Sequence, residues 1–286
     1  PQLCHQESDT LSLYLRFSPM NMSTAIRAIF CAAALCVAYA CVTTEETGRT
    51  QLNLVSDSQM NTMGAQAYRD LLSKAKLSRN PQVTKTVTQI GEKIALASGV
   101  NYEWEFQVID DPKTVNAFCL PGGKVAVYTG ILPIAENNAA LAAVMGHEVA
   151  HAVLRHSAER MSQQMVLQLG IAAASLTFED SRYRNTIAGI LGVGALYGLS
   201  LPFSRFHETE ADRVGLTYMA KAGFNPEESV YLWERMGQTG GRTPEILSTH
   251  PDPFRRAKDL RAHMDSALAI YNISQQKSPT SSLPKT

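Results

Sequence analysis

Cysteine is scarce where a fold would use it: Cys4, Cys31, Cys36 and Cys41 fall in the first 41 residues, and only Cys119 follows. That distribution excludes a disulfide framework, and the apolar, strand-like surroundings of Cys119 point to a buried, inert thiol. Charge of one sign is missing too, since 26 basic residues balance 26 acidic ones to a formal net charge of zero. With no lysine–arginine block and no basic stretch interleaved with aromatics, nothing suggests a nucleic-acid partner. Apolar runs of spanning length are also lacking. The segments 165–176 and 187–201 both fall short of the roughly 20 residues that a membrane-crossing helix needs, and the first contains Gln168. They read as buried or interfacial helices. What is present, 286 residues with 45% hydrophobic content, suffices for one main domain with small appendages.

The chain is organised around Met145-Gly146-His147-Glu148-Val149-Ala150-His151. Its alanine-rich context, unbroken from Ala139 to Leu154, predicts a helix. Four residues separate His147 from His151, so both imidazoles leave one helical face a turn apart and can meet one ion. Histidines in an apolar helix are more often core or surface residues than ligands, but Glu148 stands about 100° around from His147, beside such an ion, where a general base belongs. Two histidines do not complete a catalytic zinc site, which takes three protein ligands. Glu208-Thr209-Glu210-Ala211-Asp212 supplies the best third: Glu208 and Asp212 share a helical face, so Glu208 can bind the metal while Asp212 holds a ligand histidine by its far nitrogen. By the same geometry Glu210 points elsewhere. His156, about 140° off the ligand face, and His207, next to Glu208, are expected to be misdirected, and His263 to be a surface residue.

Around this centre the periodicity predicts helices from Ser56 or Asp57 to Leu77 and from Asn80-Pro81 onward. A small antiparallel sheet should follow, built from Trp104–Ile109 and a Val115–Leu120/Lys124–Tyr128 hairpin. Beyond the metal helix, helices are expected over Phe206–Ala222 and Pro253–Ile270. A free edge of the sheet is a plausible place for an extended peptide to add as a strand over the metal. The expected architecture is α+β and mostly helical, with the sheet beside the zinc cleft. Its expected divisions are residues 1–41 as leader, 42–53 as a polar tether, 54–271 as the domain and 272–286 as a disordered tail. Within the leader, Arg27 followed by 13 uncharged residues, Ala28 to Ala40, reads as a signal peptide with translation starting at Met20 or Met22.

Four ordered motifs carry a family resemblance: Asn116–Gly123, His147–His151, Glu208–Arg213 and Thr249-His250-Pro251. Over about Leu54 to Ala269 the chain resembles the zinc metallopeptidases related to HtpX and the CAAX prenyl protease, more closely their periplasmic lipoprotein and chaperone-protease members. The resemblance implies one zinc ion per chain held by His147, His151 and Glu208, with Glu148 as base and Asp212 in support. It also places His250 at the metal, either silencing the open position or steadying an oxyanion, and makes Arg256 either an oxyanion partner or a salt bridge to Asp212. Val37-Ala38-Tyr39-Ala40-Cys41 resembles a lipoprotein signal, which implies a lipid on Cys41 and a periplasmic, outer-membrane location. The expected activity is endoproteolysis of unfolded or misassembled envelope proteins. The alternative is an assembly chaperone whose zinc is mainly structural, closed by His250.

Overall fold

The computed structural model describes residues 41–177, 204–238, 244–250 and 252–285, with side chains of 170–177 excepted. The expected leader (residues 1–41), apart from Cys41, and the second apolar run lie outside these residues. The first run falls within helix α5 (His156–Thr177). Among the described residues, no helix is long and apolar enough to cross a membrane.

The centre is α4 (Asn138–Val153), buried along almost its whole length, which is why its sequence reads as a continuous apolar run. Asn137 caps it by accepting a hydrogen bond from the Ala140 amide at 2.8 Å. Earlier in the chain, α1 (Asp57–Leu72) starts at a Ser56/Gln59 capping box and α2 (Pro81–Ser98) at Asn80 and Pro81, as their sequences dictate. The first ends at Leu72, short of the expected Leu77.

The sheet is β3 (Glu105–Ile109), β5 (Lys124–Tyr128) and β4 (Ala117–Leu120), in that order. The expected β4–β5 hairpin is antiparallel, but β3 joins β5 in parallel, making the sheet mixed. Alternation divides its faces. Ile109 and Ala126 pack with Tyr68 of α1, whereas Val108, Val125 and Val127 join the core around α4. The Tyr68 hydroxyl donates to the Val125 carbonyl at 2.7 Å, tying α1 to the sheet. Strand β4 stays at the edge, and the half-buried Cys119 in it has its thiol pushed well up by burial.

A 3₁₀ turn (Thr129–Ile131) and the short α3 (Leu132–Ala135) lead into α4. After α5 come α6 (Arg205–Lys221), α7 (Glu227–Gly237), the single turn α8 (Ile246–Thr249), α9 (Pro253–Ala262) and α10 (Met264–Ile273). The single helix expected over 253–270 is therefore two, broken at His263, whose Nδ1 lies 2.8 Å from the Asp259 carbonyl oxygen.

Two segments expected to be loose are built into the fold. The polar stretch 42–53 carries a short ribbon, β1 (Cys41–Thr43) with β2 (Thr50–Leu52), followed by a hydrogen bond from the Leu54 amide to Ser162. The expected disordered tail runs extended along the domain. The Ser278 amide donates to the Gly223 carbonyl and Leu283 to that of Glu136, while the Asn138 amide donates to the Ser281 carbonyl. Low hydrophobicity suggested disorder there, but backbone groups need no apolar side chains to pair.

Candidate metal centre

Helices α4 and α6 supply the ligand face, and glycines bring them together. A Cβ on Gly146 would lie 2.9 Å from the Gly215 carbonyl oxygen, and one on Gly215 would lie 2.8 Å from the His147 amide nitrogen. Only bare backbone fits this crossing. Glu208, Asp212 and Gly215 follow i, i+4, i+7 spacing, so the close approach presents both carboxylates to the two histidines.

His147, His151, Glu208 and His250 each offer a ligand atom, and these atoms all lie within 4.8 Å of one another. The Nε2 atoms of His147 and His151 are 3.0 Å apart, His250 Nδ1 lies 3.2 Å from His147 Nε2, and Glu208 reaches all three rings at 3.0–3.4 Å. A tetrahedral zinc with bonds of about 2.0–2.1 Å has ligand–ligand edges of about 3.3 Å, so the donor set fits that ion. Imidazole lone pairs aimed at one another at this range repel unless a cation or a proton lies between them. The donors are all buried, His147 2% exposed and Glu208 0%.

The electrostatics agree. Burial pushes His151 well below its ordinary value, leaving a neutral imidazole that can ligate. Burial and Arg256 both depress His147, but hydrogen bonds with Asp212 and Glu208 outweigh them and raise it to about 9. Without an ion the carboxylates thus hold a proton on His147, and metal uptake must displace it. Glu208 resists its burial penalty through the three histidines and stays ionised.

Glu148 is 3% exposed, and burial raises its carboxyl above the usual range, with His250 and His147 opposing. Its Oε1 lies 3.5 Å from His250 Nε2 and accepts no hydrogen bond among the described residues. Asp212 Oδ1 is 3.0 Å from His147 Nδ1, the far nitrogen, as the helical spacing predicts. Of the two roles open to Arg256, the geometry has the salt bridge. It donates from Nε to Asp212 Oδ2 at 2.8 Å, sets its guanidinium carbon 3.4 Å from the centroid of the Trp233 ring and is 1% exposed. His250 places Nδ1 in the ligand cluster and Nε2 toward Glu148. A small pocket lined in part by Met60, Tyr102, Pro121 and His151 opens beside the cluster, below the β4–β5 turn.

The expectation for His156 needs correcting. It does not ligate, but neither is it turned away: its Nδ1 lies 2.8 Å from His151 Nδ1. The 140° offset assumed a continuous helix, whereas Arg155 adopts a left-handed φ of 57° and the helix is interrupted there. His207 is likewise outside the ligand set but buried, with its ring stacked on His156 at 4.4 Å between centroids. Glu210 does point elsewhere, into this second layer, where Arg49 meets both it and Glu159. Burial opposes ionisation of both carboxyls. Hydrogen bonds involving His207 and Arg49 hold Glu159 at about 2, and those involving His156, Arg49 and Thr47 hold Glu210 at about 2. Nothing in local periodicity marked Arg49, which belongs to the supposed tether. His263 is half-buried, away from the cluster.

The family model "Peptidase family M48" matches residues 81–264. The mitochondrial metalloendopeptidase OMA1 of Schizosaccharomyces pombe is 38% identical over 229 residues, which is 77% of this chain and 65% of that protein. Its Saccharomyces cerevisiae namesake is 39% identical over 60% of this chain and 50% of its own length. The Beta-barrel assembly-enhancing protease of Escherichia coli is 29% identical over 77% of this chain and 46% of that protein. The chain thus spans about half to two thirds of the length of these relatives. They overturn the expected periplasmic, outer-membrane location, because the relatives at 38–39% identity are mitochondrial by name and the bacterial one is more distant. That expectation rested on a basic residue, a short apolar run and a cysteine, a pattern too small to specify a compartment. Cys41 itself is an exposed residue at the start of β1.

Proposed function

The chain belongs to peptidase family M48, and from that footing we propose that it is a zinc metalloendopeptidase that cuts extended segments of unfolded or misassembled proteins. The observation that carries the reading is the convergence of His147, His151 and Glu208 on one point, with the carboxylate of Glu148 buried beside it. Zinc bound there supplies a Lewis acid that acidifies water and polarises a carbonyl.

The protein's own groups do the rest. Glu148 takes a proton from the water as its oxygen adds to the scissile carbonyl carbon, then delivers that proton to the amide nitrogen as the C–N bond breaks. Its raised affinity for protons suits both halves of the transfer. Asp212, braced by Arg256, holds His147 in the orientation that ligation needs. Among the described residues no strand pairs with the outer side of β4, and this strand packs beside α4. A substrate segment adding there in extended form would lie across the cluster. The name of the bacterial relatives, which refers to β-barrel assembly, supports misassembled proteins as the substrate class.

His250 offers a fourth ligand atom beside those of His147, His151 and Glu208, which favours a self-restrained resting state in which substrate must displace the ring. The same observation favours the rival reading, a holding chaperone with a closed, structural zinc. Zinc content and casein cleavage distinguish them when measured on the wild type, Glu148→Gln and His250→Ala. The protease reading requires weak wild-type cleavage, faster cleavage by His250→Ala, and a silent Glu148→Gln that retains zinc. Stoichiometric zinc with no cleavage by any of the three would sink it in favour of the chaperone.

A further inference from the structure

The two ligand histidines are supported in different ways. His147 has a carboxylate, Asp212, directly at its far nitrogen. Behind His151 stands another imidazole: His156 Nδ1 is 2.8 Å from His151 Nδ1, and His156 Nε2 is 3.1 Å from Glu210 Oε2. Glu210 is in turn fixed by Thr47 Oγ1, which donates at 2.6 Å, and by Arg49 Nε, at 2.9 and 3.1 Å from its two oxygens. The remaining Arg49 nitrogens donate to Glu159 at 2.9 and 2.7 Å. His156 is 0% exposed and Glu210 7%. The Arg49 guanidinium already stands as the cation between the two carboxylates, so this layer is not a second metal site.

Proton bookkeeping orders the chain of bonds. A histidine that ligates through Nε2 carries its hydrogen on Nδ1 and must donate it. His156 can accept only if its own Nδ1 is bare, which places its hydrogen on Nε2, facing the carboxylate of Glu210. Each link therefore dictates the next, and reversing any one leaves two donors or two lone pairs face to face in a buried layer.

We propose that Glu210, acting through His156, is a positioning device for His151: it fixes the ligating tautomer and ring orientation, and Arg49 carries the device into the N-terminal ribbon. The inference rests on the metal reading above and extends it to residues outside the ligand set. It also gives residues 42–53 a part in building the site, since without Arg49 and Thr47 the carboxylate of Glu210 would lose the donors that aim it.

The test uses the full chain with zinc alone as probe, titrated against a competing chelator, alongside thermal unfolding of the zinc-free protein. Replacing His156→Phe or Glu210→Ala is expected to weaken zinc binding by about 10–100-fold, the usual effect of losing such outer support. A spectroscopic readout separates positioning from mere packing. In the zinc-loaded wild type, ¹⁵N spectra of the histidine side chains should show His156 as the Nε2–H tautomer, and zinc-free Glu210→Ala, in which neither neighbour dictates the ring, should populate the other. If His156→Phe does not fold, the wild-type tautomer and Glu210→Ala still decide the matter. An Nδ1–H tautomer at His156, or zinc affinity unmoved in folded variants, overturns the relay alone. A wild-type chain that takes up no zinc overturns the metal reading with it.

Discussion

Substituting Gly215→Ala tests whether the glycine crossing of α4 and α6 sets the metal geometry. The added methyl would stand 2.8 Å from the His147 amide nitrogen and the Gly146 carbonyl carbon. Ordinary van der Waals contact begins about 0.6 Å further out, and backbone on both sides leaves nothing flexible to yield. The helices must separate or rotate by that order at the residue adjoining His147, whereas metal sites tolerate only about ±0.2 Å in ligand distance. Overpacking should cost about 1–3 kcal/mol, offset by about 1 kcal/mol from the better helix propensity of alanine. Stability of the zinc-free chain therefore changes little, by zero to about 2 kcal/mol. Zinc affinity is the sensitive quantity, and a loss of at least tenfold, about 1.4 kcal/mol, is expected in chelator competition. A Gly215→Ala protein that binds zinc within twofold of wild type would refute the claim that this crossing positions Glu208 against the histidines.

Other perturbations probe the charges. Asp212→Ala leaves Arg256 buried with Glu208, the His147 ring and the Trp233 ring as its company; denaturant unfolding should show a loss of about 3–5 kcal/mol, and zinc binding should weaken about 10–100-fold. Unchanged zinc affinity would remove Asp212 from its supporting role. Glu159 and Glu210 sit at about 2 when folded, below their ordinary 4.5. Since their folded values are depressed, the stability they contribute is present above pH 4.5 and is lost as pH falls toward 2. The melting temperature should decline across that window, and Arg49→Ala should flatten the decline. A melting curve insensitive to Arg49 there would show that the second layer does not set acid stability.

The metal helix was legible because its information is local. Spacings of four residues in an alanine-rich run place His147 with His151, and Glu208 with Asp212, whatever the rest of the chain does. The helix starts at Ser56 and Asn80 and the β4–β5 hairpin were local too. The failures share the opposite property. His156 was misjudged because a single left-handed residue, Arg155, interrupts the helix before it, and arginine carries no signal for φ > 0. The tether and the tail were read as loose because they are polar, yet their partners, Glu159 and Glu210 for the one and Gly223 and Glu136 for the other, lie far away in sequence.

By itself, then, the sequence determined which donor types are available, the helical faces they share and the place of Glu148 beside them, since backbone periodicity enforces those relations at short range. Only the tertiary structure decided that the two helices cross on bare glycine and that Arg49 reaches the second layer from the N-terminal ribbon. These are distances between residues separated by tens of positions or more. They are set by packing and by the need to pair buried charge, and no local pattern encodes either.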